Sequence, residues 1–231
     1  MRRDSPDAQE VLEAGPPWPT AWTEAGIIEV LEPLVGDERR TRLQEVIAQR
    51  IESVTVLLDG PYDPHNAAAV LRSCDAFGVH QLHAVSAEPL QTSRKVAQGA
   101  QRWVKVSRHP TPTKAIATLN ASGHRLVVAH PKGNLVPEDL ARVPRVAIVL
   151  GNEHSGVSPE VTRAAHDTVR IPMQGFVESL NLSVSTALLL YAATRQRSAD
   201  LNPAEQRSSY ARGLFHSVIR AEQILAASSP R

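Results

Sequence analysis

The sequence predicts an α/β protein, a mostly parallel β-sheet with helices on both faces. Three observations carry that reading. Short apolar segments alternate with amphipathic ones from residue 54 to residue 196. Two of the apolar segments, Val54–Asp59 and Arg145–Leu150, are near-continuous runs, the pattern of strands buried on both faces. Chain breakers then sit where strands end, at Gly60-Pro61, Gly151 and Pro172. Hydrophobic residues make up 42% and aromatics only 4%, so the core must be built from Ala, Val, Leu and Ile.

Taken in order, residues 1–36 form an acidic leader rich in Pro and Gly, expected to be loosely docked and pinned by Trp18 and Trp22. A helix starts at Asp37, with Leu43, Val46, Ile47 and Ile51 at helical spacing and Arg39, Arg40, Arg42 and Arg50 on its other face. After the strand Val54–Asp59 comes a helix from Asn66 to Phe77, with Asn66 placed as its cap and Gly78 as its stop. The strand Gln81–Val85 follows. Residues 86–102 read as a basic loop with a helical piece, and Trp103–Ser107 as a short strand. Pro112 opens a helix over Thr111–Asn120. The remaining expectations are a strand at Arg125–Ala129, a helical turn at Leu135–Ala141, the strand Arg145–Leu150, and a helix at Pro159–His166. A strand ending at Val169–Ile171, an apolar helix through Ala187–Ala193 and a helical tail from Pro203 to Ala227 complete the chain.

Charge is unevenly placed. Residues 1–38 hold nine acids and two bases, which leaves a net +8 over residues 39–231. No acid occurs between Glu88 and Glu138, where Arg94, Lys95, Arg102, Lys105, Arg108, Lys114, Arg125 and Lys132 lie. A basic body suggests a polyanionic partner. The lone Cys74 cannot form an intrachain disulfide, so a reducing, cytoplasmic compartment is expected. No secretory signal is visible, and no apolar run approaches the ~18 residues of a membrane span. Metal is not expected, because no His pair with a third ligand appears at helical spacing. No G-x-G-x-x-G, P-loop or G-x-S-x-G pattern is present.

Three unusual segments fall at strand ends, where parallel sheets bind ligands. The first, Gly60-Pro-Tyr-Asp-Pro-His-Asn66, leads to Arg72. The second is Leu150-Gly-Asn-Glu-His-Ser-Gly156, where Gly151 lets a backbone or ligand come close. The third, Ile171-Pro-Met-Gln-Gly-Phe-Val-Glu-Ser-Leu-Asn-Leu-Ser-Val-Ser185, carries more hydrogen-bonding side chains than a helix cap requires. Its apolar residues can sandwich a flat ring.

Together, Pro64-His-Asn66 with Arg72, Leu150-Gly-Asn-Glu153 with Gly156, and Ile171-Pro-Met173 with Ser179-Leu-Asn-Leu-Ser-Val184 resemble the three motifs of the SPOUT superfamily of knotted RNA methyltransferases. The likeness covers residues 38–200, and within the superfamily it is to the TrmH branch of tRNA guanosine 2′-O-methyltransferases. It implies a deep C-terminal trefoil knot, S-adenosylmethionine as cofactor, tRNA as substrate and a homodimer that completes the site. It divides the chain into the leader 1–36, a methyltransferase domain at 37–200 with a basic N-terminal helix, and a helical extension at 201–231. By resemblance, Arg72, Asn66, Glu153, Ser179 and Asn181 are catalytic. His130, Leu150, Gly151, Ile171, Met173 and Leu180 line the cofactor, and Arg39, Arg42, Arg50, His65 and Arg197 contact RNA. Asp63 stands where relatives often carry lysine. Methylation of ribosomal RNA, methylation at another tRNA position, and RNA binding without turnover are the alternatives.

Overall fold

The computed structural model describes residues 9–12, 15–60, 63–88, 90–152 and 155–228, with 9–12, 90–92 and 94 described by backbone alone. The described residues fall into two compact units: 9–12 with 51–198, and 15–50 with 199–228.

The larger unit holds a six-stranded, all-parallel sheet. Its strands are β2 (Val54–Asp59), β3 (Gln81–Val85), β5 (Lys105–His109), β6 (Arg125–Ala129), β7 (Val146–Gly151) and β8 (Asp167–Val169), in the spatial order β5-β3-β2-β7-β6-β8. Strand β2 is central and buried along its whole length, as its unbroken apolar run predicts. Its alternate side chains serve two cores. Val54, Val56 and Leu58 join α3 (Pro64–Ala76) and α7 (Leu182–Thr194) on one face. Leu57 faces the other way, with Ala115 and Leu119 of α5 (Pro112–Ala121) and Val161 of α6 (Pro159–Ala164). The period of two thus divides one strand between two helical layers. The register sets Asp59 beside Gly151. Asp59, almost fully buried, accepts the Ser158 N–H at 2.7 Å and so ties the far end of the loop after β7 to the end of β2.

Several local expectations change. Asn66 is the third residue of α3 and not its cap; Asp63 caps the helix, its carboxylate accepting the His65 N–H at 2.8 Å. A carboxylate at a helix N-terminus is favoured by the dipole, which accounts for Asp63 at this place. Residues 86–102 are more ordered than a loop: β4 (Leu90–Ser93) pairs antiparallel with β1 (Gln9–Leu12), and α4 (Arg94–Ala97) follows. The helical turn near residue 137 is a 3-10 helix, Pro137–Arg142.

The smaller unit is helical. In the stretch read as a loose leader, Thr23 caps α1 (Glu24–Leu31) by accepting the Gly26 N–H, and both Trp18 and Trp22 are buried. The apolar residues Ile27 and Leu31 order this segment, since α1 packs against α8 (Pro203–Ser217) and buries them. Helix α2 (Asp37–Ile47) adds Leu43, which lies so close to Gly213 of α8 that a Cβ there would be 2.8 Å from the leucine Cδ2. The tail breaks at Arg220, in the left-handed region at φ 60°, before α9 (Ala221–Ala226). Tyr210 donates to Glu32 at 2.6 Å, and burial first, then this carboxylate, pushes the phenol up to about 12.

Candidate cofactor pocket and its surroundings

The carboxyl ends of β6, β7 and β8 open onto one pocket of about 310 Å³. Each wall is set by a local device. After β6, the His130 N–H donates to Val169 O at 2.9 Å, and His130 Nδ1 accepts the Lys132 N–H at 3.1 Å. Asn134 then stitches this turn to β8: its Oδ1 accepts Thr168 N–H at 2.8 Å, and its Nδ2 donates to Asp167 at 3.2 Å. Asp167 also accepts from Arg125 at 3.0 Å, which holds its carboxyl below the usual carboxylate range. After β7, a Cβ on Gly151 would lie 2.6 Å from Val157 N, so the chain can double back only past a glycine. Asn152 and Gly156 close that hairpin with two backbone bonds of 3.0 and 2.8 Å.

The third wall is the run from β8 to α7. Asn181 caps α7, its Oδ1 accepting Ser183 N–H at 2.8 Å and Ser183 Oγ–H at 2.6 Å. That fixes the helix start behind the pocket, so Leu182, Ser185 and Leu189 present themselves as its floor.

His130, Leu150, Gly151, Ile171, Met173 and Leu180, spread over 50 positions of sequence, all line this single pocket, as does Ser179. Sequence reasoning missed Asn152, which directly follows a flagged glycine, and gave Glu178 no role although it lies within the flagged polar cluster. Leu182 lay within the third motif without a role, and Leu189 carried no signal, because an apolar residue in an apolar helix looks like core.

Other expected site residues stand elsewhere. Arg72, exposed on α3, has no hydrogen bond or ion pair with the described residues and does not line the pocket; nor do Asn66 and His65 on the same helix. Asn181 is also absent from the lining, because its side chain serves the helix cap. Glu153 lies outside the described residues. Arg39 and Arg42 are exposed, the first bonded to Ser217 at 3.1 Å and the second paired with Glu45 at 3.6 Å.

Two further residues expected to contact RNA, Arg50 and Arg197, are held within the protein. Arg50 is only 3% exposed, and its carbonyl accepts the N–H groups of Asp200 and Leu201. Arg197 turns inward: Nε donates to Ala193 O, Nη1 to Ser53 Oγ and Pro144 O, and Nη2 to Leu140 O and Val143 O. All five of its N–H donors are engaged. Among the described residues, no group of three His, Cys, Asp or Glu is placed to hold a metal ion, and no helix is long and apolar enough to cross a membrane.

Comparison with known proteins agrees with this geometry. A sequence model of the SpoU rRNA Methylase family matches residues 53–191. The chain is 37% identical over 161 residues to the tRNA (guanosine(18)-2′-O)-methyltransferase of Escherichia coli K12, covering 69% of this chain and 70% of that one. Its fold is similar to the crystal structure of the A. aeolicus TrmH/SpoU tRNA modifying enzyme, with a TM-score of 0.71 at 29% identity over 80% of this chain and 98% of that one. It also resembles a SpoU methyltransferase of Streptomyces viridochromogenes in complex with the cofactor AdoMet, with a TM-score of 0.56 at 27% identity over 66% of this chain and 63% of that one. The family match begins one residue before β2 and ends within α7. It therefore spans every strand and loop that builds the pocket, and the chain belongs to the SpoU rRNA Methylase family, as a TrmH-type member.

Proposed function

We propose that this protein transfers a methyl group from S-adenosylmethionine to the 2′-hydroxyl of guanosine-18 in tRNA. The observation that carries the reading is the convergence of His130, Leu150, Gly151, Ile171, Met173 and Leu180 on one pocket at the carboxyl edge of the sheet. The pocket suits the cofactor. Leu150, Ile171, Leu180, Leu182 and Leu189 offer apolar surfaces to an adenine, while His130, Asn152, Ser179 and Ser185 offer polar groups. The bound cofactor supplies an electrophilic methyl on a sulfonium, whose neutral sulfide needs no acid to leave.

The protein's task is then to hold the ribose in line and accommodate the hydroxyl proton. Arg72 is the group for this. A guanidinium with a pKa above ~12 is a poor base. It pairs instead with the phosphate beside the ribose, orients the sugar and stabilises charge developing on the oxygen. The phosphate or water takes the proton. Asn66 and Glu153 shape this side of the site, and Ser179 faces the ribose. Arg39, Arg42 and His65 take further RNA contacts.

The active form is a homodimer. Arg72 does not line the pocket of its own chain, which favours a site completed by a second copy. Helix α7 also carries an exposed apolar stripe, Val184, Leu188 and Tyr191, continued by Phe176 and Val177. The opposite side of α7 is already buried in the core, so the helix is apolar all round and needs a second partner. The deep trefoil knot belongs to the same reading. Its support is the return of the chain from the edge strand β8 to pack α7 against α3 and the 3-10 helix. A cytoplasmic location belongs to the same reading, supported by a tRNA substrate and by a single cysteine, Cys74, in the sequence.

The test is methyl transfer from labelled cofactor to purified tRNA transcripts with guanosine or adenosine at position 18. Label in the first alone supports the reading. Label in both, or only in ribosomal RNA, overturns the assigned position.

A further inference from the structure

The pocket has an electrostatic sign of its own. Among its described lining residues Glu178 is the single carboxylate, and no lysine or arginine lines it. The one histidine among them, His130, accepts the Lys132 N–H at Nδ1. Among the described lining residues the pocket therefore presents one carboxylate and no lysine or arginine.

Glu178 is not placed there by packing. It is exposed, it sits in the segment between β8 and the cap residue Asn181, and no hydrogen bond or ion pair ties it to another described residue. Its neighbours Ser179 and Leu180 line the same pocket. A lining residue with no hydrogen bond or ion pair to another described residue is available to a ligand.

Turnover changes the charge that this carboxylate meets. When the methyl moves to the ribose oxygen, the carbon–sulfur bond breaks and its electron pair stays on sulfur. The sulfonium becomes a neutral sulfide, and the hydroxyl proton leaves to phosphate or water. The ligand thus loses one positive charge while its shape otherwise persists. We propose that Glu178 determines the preference of this pocket for the cationic methyl donor over its neutral-sulfur product, S-adenosylhomocysteine, and so favours exchange of product for fresh donor. This rests on the pocket being the S-adenosylmethionine site. Because Glu178 is solvent-exposed, the effective dielectric is high and the discrimination is modest, about five-fold.

The test is calorimetric titration of the full chain with S-adenosylmethionine and, separately, S-adenosylhomocysteine. Glu178→Gln should lower the donor-to-product affinity ratio by about five-fold while leaving product affinity unchanged. In the unaltered protein the same ratio should shrink as salt rises from about 0.05 to about 0.5 M, because screening weakens only the charged term. An unchanged ratio in Glu178→Gln, or an equal loss of both affinities, overturns the proposal. If the unaltered protein binds neither ligand, the cofactor reading itself falls, a result distinct from a failed ratio.

Discussion

Arg197 Nη1 donates to the carbonyl oxygen of Pro144 at 2.7 Å, and this bond places the guanidinium at the junction between the 3-10 helix and β7. The same group reaches Leu140 O at 2.9 Å and Ser53 Oγ at 3.2 Å. It holds the end of α7 against the segment that leads into the central sheet. Arg197→Ala should therefore lower unfolding free energy by about 1–3 kcal/mol, since several part-buried carbonyls lose a charged donor. Urea denaturation measures this. A variant with unchanged stability and weakened RNA binding would restore the phosphate-contact role.

Arg72 shows the opposite pattern, exposed and without a partner among the described residues. Arg72→Ala should cut turnover by about 100-fold or more, with cofactor affinity by calorimetry unchanged. Arg72→Lys should recover little, because lysine has no planar fork to bridge phosphate and ribose. Near-normal turnover in the lysine variant would sink that argument.

Stability should depend on pH through a buried histidine pair. His83 Nδ1 and His109 Nε2 lie 2.9 Å apart on neighbouring strands, with rings stacked at 5.1 Å. Burial, then His109, pushes His83 down to about 3, and burial lowers His109 too. Both are favoured neutral when folded, so the unfolded chain binds more protons. Their contribution is complete above about pH 6.5 and is lost as pH falls from there toward 3. Each proton contributes a slope of up to about 1.4 kcal/mol per pH unit. Urea midpoints from pH 7.5 down to about pH 5 check this, and a His83→Phe variant should flatten the slope.

The α7 stripe gives a prediction about assembly. Leu188, 44% exposed between Val184 and Tyr191, sits at its centre. If the proposed homodimer packs through this stripe, Leu188→Glu should shift sedimentation to the monomer and reduce methyl transfer with it, since a charge cannot be buried there unpaired. Unchanged sedimentation would move the interface elsewhere.

Gly151 tests the pocket wall. Gly151→Ala places a methyl against the backbone of Gly156 and Val157, neither of which can yield as a side-chain tip would. A stability loss of about 1–3 kcal/mol and weaker cofactor binding are expected, read by thermal unfolding and calorimetry.

Much of this protein was legible before its structure. The alternation of apolar and amphipathic segments specified the strands and helices, because burial on both faces leaves an unbroken apolar run such as Val54–Asp59. Breakers at strand ends marked the pocket loops, because a chain that must turn sharply beside a ligand needs glycine and proline there. The resemblance then named six lining residues that do converge. What the tertiary structure alone decided is where each charged side chain goes. Arg39, Arg50, Arg72 and Arg197 are alike in sequence. Yet one bonds to Ser217, one is buried, one is exposed on α3, and one is enclosed by carbonyls. A guanidinium on a long flexible stem takes whatever acceptors the folded chain brings within reach, and those acceptors come from segments distant in sequence.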